Sequence, residues 1–328
     1  MAYLLERKLV VGVASSALFD LTESHRVFLE EGPEKYRRFQ EANVDSVLAP
    51  GVAFQFIKRF LNINASFPEN LPVEVVLLSR NSPETGLRVF RSIKAHGLDI
   101  TRAAFMTGRS PYEYIPAFNA SIFLTANEDD VSRAIRAGFP AGLVLPSTAS
   151  AEEPGRQLRV AFDFDGVIAD DEAEAVYRDK DISAFHAHET AKAGIPHNQG
   201  PLADLFKKLA LMRKLEDREI ERNPQYERIV RVSIVTARSA PSHERVVTTL
   251  KKWGVSVDEA FFLGGVTKAN ILSVLKPHIF FDDQLSHLAS PAGDIPMVHI
   301  PFGVANQSPP PVQPVDSASA PDADPRPE

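Results

Sequence analysis

"VRVSIVTARSAPSHERVVTTLKKWGVSVDEAFFLGG", Val230–Gly265, begins as a β-branched apolar run. It then takes on helical spacing that stops at Gly254, and returns to an apolar run near Phe262. Strand, amphipathic helix and strand in this order predict a parallel sheet in an α/β fold. Moved back by 157 positions, the stretch lies without a gap over "VEVVLLSRNSPETGLRVFRSIKAHGLDITRAAFMTG", Val73–Gly108. Gly97 falls on Gly254, Gly108 on Gly265, Phe105 on Phe262 and Arg88-Val89 on Arg245-Val246; the overlay continues to Ile122-Phe123 on Ile279-Phe280. Upstream, a shift of 150 lays "VVGVASSALFD" (10–20) on "VAFDFDGVIAD" (160–170). The second copy therefore carries about seven extra residues, placed around "RKLEDREIERNPQ".

The expectation is a tandem duplication of one parallel-sheet unit. The first copy occupies 1–150 and the second 151–305, with the boundary in the polar stretch "PSTASAEEPGRQ". From about Asn306 to Glu328 the sequence is Pro, Ser, Ala and Asp with little to bury, which predicts a disordered tail. "LVVGVASSALF" near the N-terminus has the look of a signal-peptide core. Its counterpart in the second copy is a strand, so it is assigned to the fold.

The bulk numbers fit a soluble globular protein. Of 328 residues, 44% are hydrophobic and 24% charged, and the net charge of −7 argues against a nucleic-acid polymer as partner. No apolar run is long enough to span a membrane. The absence of cysteine removes disulfides and thiolate chemistry, and suits a cytoplasmic location. The composition is also compatible with a homo-oligomer.

Ligands of parallel sheets bind at the carboxyl ends of the strands. In the second copy those ends carry Asp163 and Asp165, then Thr236, then Asp282 and Asp283, with Lys268 opening the helix after "FFLGGVT". Several carboxylates at one site call for a cation, and hard oxygen ligands in this number suit Mg²⁺. Lys268 and the Thr236 hydroxyl complement the charge of a phosphoryl group. Asp163 is assigned as nucleophile, forming an aspartyl-phosphate, and Asp165 as the acid that protonates the leaving alcohol and later activates water. The metal is assigned to Asp163, the main-chain carbonyl of Asp165 and Asp282, with Asp283 acting through water.

"DFDGV", "IVTAR", Lys268 and "FFDD" stand in the order of the four motifs of the haloacid-dehalogenase-like (HAD-like) phosphatases. More narrowly, "VTARSAPSHERVVTTLKKWGVSVDEAFFLGGVTKANIL" with "HIFFDDQLSH" resembles the cytosolic type I 5′-nucleotidases, and "SSALFDLTESH", "LLSRNSPETGLRVFRSI" and "AAFMTGRSPYEYI" of the first copy do so too. The resemblance implies two tandem HAD-like units, and Mg²⁺-dependent hydrolysis of nucleoside 5′-monophosphates such as AMP. The first copy departs from the pattern. Val13 and Ser15 replace Asp163 and Asp165, Pro111 replaces Lys268, and Thr125-Ala126 replace Asp282-Asp283, so it is expected to be non-catalytic.

Arg238 and Arg245 are weaker candidates for phosphate contact, a helix-face arginine being the plain alternative. Residues around 175–229 are long enough for a small helical cap, in which His186, His188 and Glu189 would sense base or ribose. Phe185 is read as cap core, and "HAHE" as a solvated helix face because a third zinc ligand at a fitting spacing is missing. Ser79, Arg80 and Asn81 in the silent copy form a second candidate pocket, an anion site free of carboxylates; the alternative is a purely structural role for that copy. Two other functions compete: a phosphatase of another phosphomonoester such as a sugar phosphate, and a nucleotide-sensing regulatory protein. The intact acidic set disfavours the last. A kinase is disfavoured because the chain has no Gly-rich phosphate loop ending in Lys-Ser/Thr.

Overall fold

Ten strands share one sheet in the computed structural model, which describes residue 5 and residues 8–147, 155–289 and 295–307. In chain order the first half contains β1 (Leu9–Val13), α1 (Ser15–Leu18), α2 (Thr22–Ala42), α3 (Phe54–Ser66), β2 (Val73–Ser79), α4 (Pro83–Ala95), β3 (Arg102–Phe105), β4 (Ala120–Thr125), α5 (Glu128–Arg136) and β5 (Ala141–Val144). The second contains β6 (Leu158–Phe162), α6 (Glu172–Asp179), α7 (Ile182–Ala191), α8 (Ala203–Arg222), β7 (Val230–Thr236) and α9 (His243–Trp253). It continues with β8 (Glu259–Phe262), α10 (Lys268–Leu275), β9 (Ile279–Asp282), α11 (Leu285–Leu288) and β10 (Met297–His299).

The strand order is β3-β2-β1-β4-β5-β10-β9-β6-β7-β8. Every pair is parallel except β5 and β10, which meet antiparallel through Val144↔Val298 and Leu143↔His299. Read outward from that joint, the two halves repeat one order. They also repeat an isolated antiparallel bridge, Phe19↔Pro50 in the first and Ala169↔Gln199 in the second. The joint pairs one edge strand of each half with the other, so neither is left with open hydrogen-bonding groups.

β-branched and apolar runs make β1 and β2 buried throughout, as parallel strands covered on both faces require. α4 begins at a capping box formed by Ser82 and Thr85, and α9 stops where Gly254 takes a left-handed conformation, φ +68°. On one face of the sheet lie α3 and α8. α3 packs on β2 and also on β6, and α8 on β7 and also on β1 and β4. Phe56, Phe60, Phe162, Phe206 and Phe281 thereby join one core that spans both halves, whereas the opposite face carries two separate clusters.

The stretches on either side of the expected division at residue 150 share one sheet and one core. The fold narrows the cap expected around 175–229. α8 buries Leu205, Phe206 and Leu209 in the shared core, while α6 packs on α7 and on the turn that follows β6. α8 has 20 residues where α3 has 13, so the seven added residues are two further helical turns. Asn306, expected to open the tail, is instead fixed by bonds to the His299 ring and the Asp283 carbonyl. Residues 308–328, and 148–154 of the expected linker, lie outside the described residues. Among the described residues no helix is long and apolar enough to cross a membrane.

Candidate active site

β6 is the switch point of the second half: the chain leaves it for β7 on one side and comes back as β9 on the other. Asp163 follows β6 directly, and its N–H donates to the Phe281 carbonyl at 2.8 Å, continuing the ladder. The turn Phe164–Ile168 then reverses the chain through Gly166 at φ +68°. A Cβ on Gly166 would stand 2.6 Å from Asp283 Oδ2, so glycine is required both by the conformation and by the carboxylate beside it. β9 delivers Asp282 and Asp283, β7 delivers Thr236, and the first residue of α10 is Lys268. Asp163, Thr236, Lys268, Asp282 and Asp283 are each at most 4% exposed.

Lys268 Nζ sits between two carboxylates, 2.8 Å from Asp163 Oδ2 and 2.7 Å from Asp282 Oδ2. Burial alone would favour the neutral amine, but the two carboxylates hold Lys268 protonated, above its ordinary value. Asp282 is fully engaged: Oδ1 accepts from the Gln284 N–H at 2.9 Å, and the His287 ring lies 3.1 Å away. Asp283 is not. Its Oδ1 is buried without a hydrogen-bond partner. Burial, with Asp163 and Asp282 beside it, pushes the Asp283 carboxyl up to about 9. Burial, with Asp282 and Asp165 nearby, likewise raises Asp163, to about 7, against the opposing pull of Lys268.

With all three carboxylates ionised, one ammonium would leave two negative charges without a counter-charge, and it is this excess that raises Asp163 and Asp283 in the absence of a further cation. A divalent cation supplies that amount, and the unpartnered oxygen of Asp283 gives it a place to bind. The acidic cluster fits a metal on both counts. Asp163, Asp282 and His287 could also bring one atom each to a shared ion. His287 was not singled out in the sequence; its only signal is its place in "DDQLSH", four residues beyond Asp283.

Asp165 pairs with a cation other than Lys268. Its two oxygens accept a forked pair of hydrogen bonds from Arg238, at 2.7 Å from Nε and 2.6 Å from Nη2. Arg238 also bonds Glu189 of α7, and Glu189 in turn accepts from Arg245 at 2.8 Å. Arg238, Arg245 and Glu189, considered above as phosphate, base or ribose contacts, are buried here as ion partners of one another. Phe185 packs beneath the Arg238 guanidinium at 5.3 Å and is cap core. His186 stacks edge-on against Phe185, its Nδ1 buried without a partner, and His188 pairs with Glu189 at 3.1 Å. Glu172, Lys192 and His197, which complete this network, carried no signal beyond ordinary charged residues.

At the matching strand ends of the first half the Ser15 and Ser79 hydroxyls meet at 3.0 Å, and Asn81 accepts from Ser79. The pocket expected to lack carboxylates does not. Asp129 and Asp130, at the start of α5, both bind the Arg80 guanidinium at 2.6 Å. That cation is already neutralised, which removes the charge argument for an anion there.

A model of the 5′-nucleotidase family matches residues 1–307. The chain is 33% identical over 286 residues to human "Cytosolic 5'-nucleotidase 1B", an alignment covering 85% of this chain and 46% of that protein. The chain thus spans about half the length of the curated relative it matches. No solved structure matches significantly. The family match takes in the first half as well as the second, so the chain as a whole belongs to the 5′-nucleotidase family, hydrolases of nucleotide metabolism that act on phosphomonoesters.

Proposed function

We propose that this protein is a cytoplasmic, Mg²⁺-dependent 5′-nucleotidase that converts nucleoside 5′-monophosphates, AMP among them, to nucleoside and phosphate. The observation that carries the reading is the convergence of Asp163, Thr236, Lys268 and Asp283 at one strand switch point, in a member of this family. Each half is read as one HAD-like unit, on the strength of the repeated strand order, the second alone being catalytic.

In the first step an Asp163 carboxylate oxygen forms a bond to phosphorus as the bond to O5′ breaks. Asp165 delivers the proton that O5′ needs to leave as an alcohol. In the second step water attacks the phosphorus of the aspartyl-phosphate, Asp165 takes its proton, and Asp163 is regenerated with release of phosphate. Lys268, held protonated, and the Thr236 hydroxyl neutralise and orient the phosphoryl oxygens. Mg²⁺, when bound, supplies further neutralisation of those oxygens. Asp163, the Asp165 carbonyl and Asp283 would hold it. The hydrogen bonds favour Asp283 for direct contact and Asp282 for holding Lys268, the reverse of the roles assigned from sequence.

Phosphate release from a panel of nucleoside monophosphates and sugar phosphates, with Mg²⁺ or with chelator, tests the reading. Nucleoside monophosphates should be the best substrates and chelator should stop turnover. Asp163→Asn should lose turnover by at least about 10³-fold with its circular dichroism unchanged, because an amide cannot become the phospho-enzyme. Turnover near wild type in that variant, or a clear preference for sugar phosphates, would overturn it.

A further inference from the structure

A guanidinium has five N–H donors and no acceptor. In Arg238 four of the five meet oxygen acceptors inside the protein. Nε and one Nη2 hydrogen go to Asp165, while Nη1 serves Glu189 and the Ser242 carbonyl, the latter at 3.2 Å. The remaining Nη2 hydrogen faces His197 Nε2 at 3.2 Å. Phe164 and Phe185 lie against the guanidinium, at 5.4 and 5.3 Å from its centre, and the side chain is 2% exposed. A cation so enclosed turns its donors to protein groups and has almost no surface for a substrate phosphate. It does have a rigid, two-point hold on the carboxylate proposed as general acid and base, and a forked Arg–carboxylate pair fixes orientation as well as distance.

The hold extends into the cap. Glu189, on α7, lies between Arg238 and Arg245, and Arg245 reaches Glu172 of α6 at 2.9 Å and the Ile195 carbonyl at 3.0 Å. Lys192, beyond the end of α7, closes the run on Glu172. Asp165, Arg238, Glu189, Arg245 and Glu172 thus form one chain of alternating charge, from the turn after β6 to both cap helices, buried at its three central members and part-exposed at its ends. Removing a member leaves its neighbour's charge buried and unpaired, so the geometry at Asp165 depends on α7 being seated.

We infer that Arg238 is the positioning residue of the general acid–base, and that Glu189 couples its hold on Asp165 to the seating of the cap. The inference rests on the reaction proposed above and adds to it where the aim of the proton transfer is set.

The test is a comparison of leaving groups on the full chain with Mg²⁺. A nucleoside leaves as a poor alkoxide that needs a proton, whereas 4-nitrophenolate leaves without one. kcat/KM covers the steps up to the phospho-enzyme and isolates that difference. Arg238→Lys should lower kcat/KM for a nucleoside monophosphate on the order of 10²-fold, and for 4-nitrophenyl phosphate by less than about tenfold. Most of the nucleotide loss should fall in kcat. Glu189→Gln, an isosteric change that leaves Arg238 in place, should give the same split with smaller losses. The double variant should be little worse than Arg238→Lys alone, since both act through one chain.

Equal losses on both substrates in a folded variant would overturn the inference. So would a loss confined to KM, which would make Arg238 a phosphate contact after all. If Arg238→Lys does not fold, Glu189→Gln decides by the same ratio. Absence of nucleotide turnover in the wild type is a different failure, that of the proposed function.

Discussion

Asp283 owes its character to what does not reach it. Asp282, one residue earlier, is bound by Lys268, Gln284 and His287, while Asp283 keeps a bare oxygen among like charges. A carboxyl raised from 3.8 to about 9 on folding makes the native state hold a proton that the unfolded chain has lost. Its contribution to stability is therefore full below about pH 4 and is lost as the pH rises to about 9. Asp283→Asn should stabilise the metal-free protein at pH 8 by about 1–3 kcal/mol, the cost of a buried polar group left unpaired, and the gain should vanish near pH 4. Added Mg²⁺ should stabilise the wild type and leave this variant unmoved, by the linkage of binding to folding. Urea unfolding at pH 4 and pH 8, with Mg²⁺ or chelator, reads all of this. Equal Mg²⁺ stabilisation of both proteins would remove Asp283 from the metal site.

Among the elements, α8 shows how the site is held from behind. Phe206 stands edge-on to Phe162 with centroids 5.6 Å apart, and Phe162 stacks on Phe281 at 5.1 Å. These two strand residues immediately precede Asp163 and Asp282, so the ring stack sets the spacing of the strand ends that carry the carboxylates. Phe206→Ala should cost about 3–5 kcal/mol by leaving a cavity under that stack. Because the cavity lies beneath the carboxylates, activity should fall in the surviving folded fraction as well. Chemical denaturation alongside turnover per folded molecule measures both effects; a loss of stability with unchanged turnover would show that the stack supports the fold alone.

Over the whole molecule, the first half acts as a wall of the shared core. α3 and α8 each lie across strands of the other half, and buried Arg59 of α3 donates to the Gly155 and Gln157 carbonyls leading into β6. Neither half can bury that face alone, so the chain should unfold in one cooperative transition. In calorimetry the van't Hoff and calorimetric enthalpies should agree, and a piece spanning residues 155–307 should fail to fold when expressed alone. Two resolved transitions, or a folded second half, would contradict the shared core.

The sequence by itself determined the elements, their order and the acidic set. Periodicity is a local property, and the overlay of Val73–Gly108 on Val230–Gly265 repeats it with both glycines in place. Asp163, Lys268 and Asp282 were legible because strand ends in a parallel sheet must converge. Three things were decided by tertiary structure, since each depends on which surfaces meet across long sequence distances. The halves share one core, because α3 and α8 cross the joint between them. Arg80, read as the cation of an open pocket, is covered by Asp129 and Asp130 from a helix about 50 residues further on. Arg238, read as a weak phosphate contact, is enclosed by Asp165 and Glu189 from two other segments. A side chain's neighbours fix which hydrogen bonds it has left to give, and those neighbours exist only once the chain has folded.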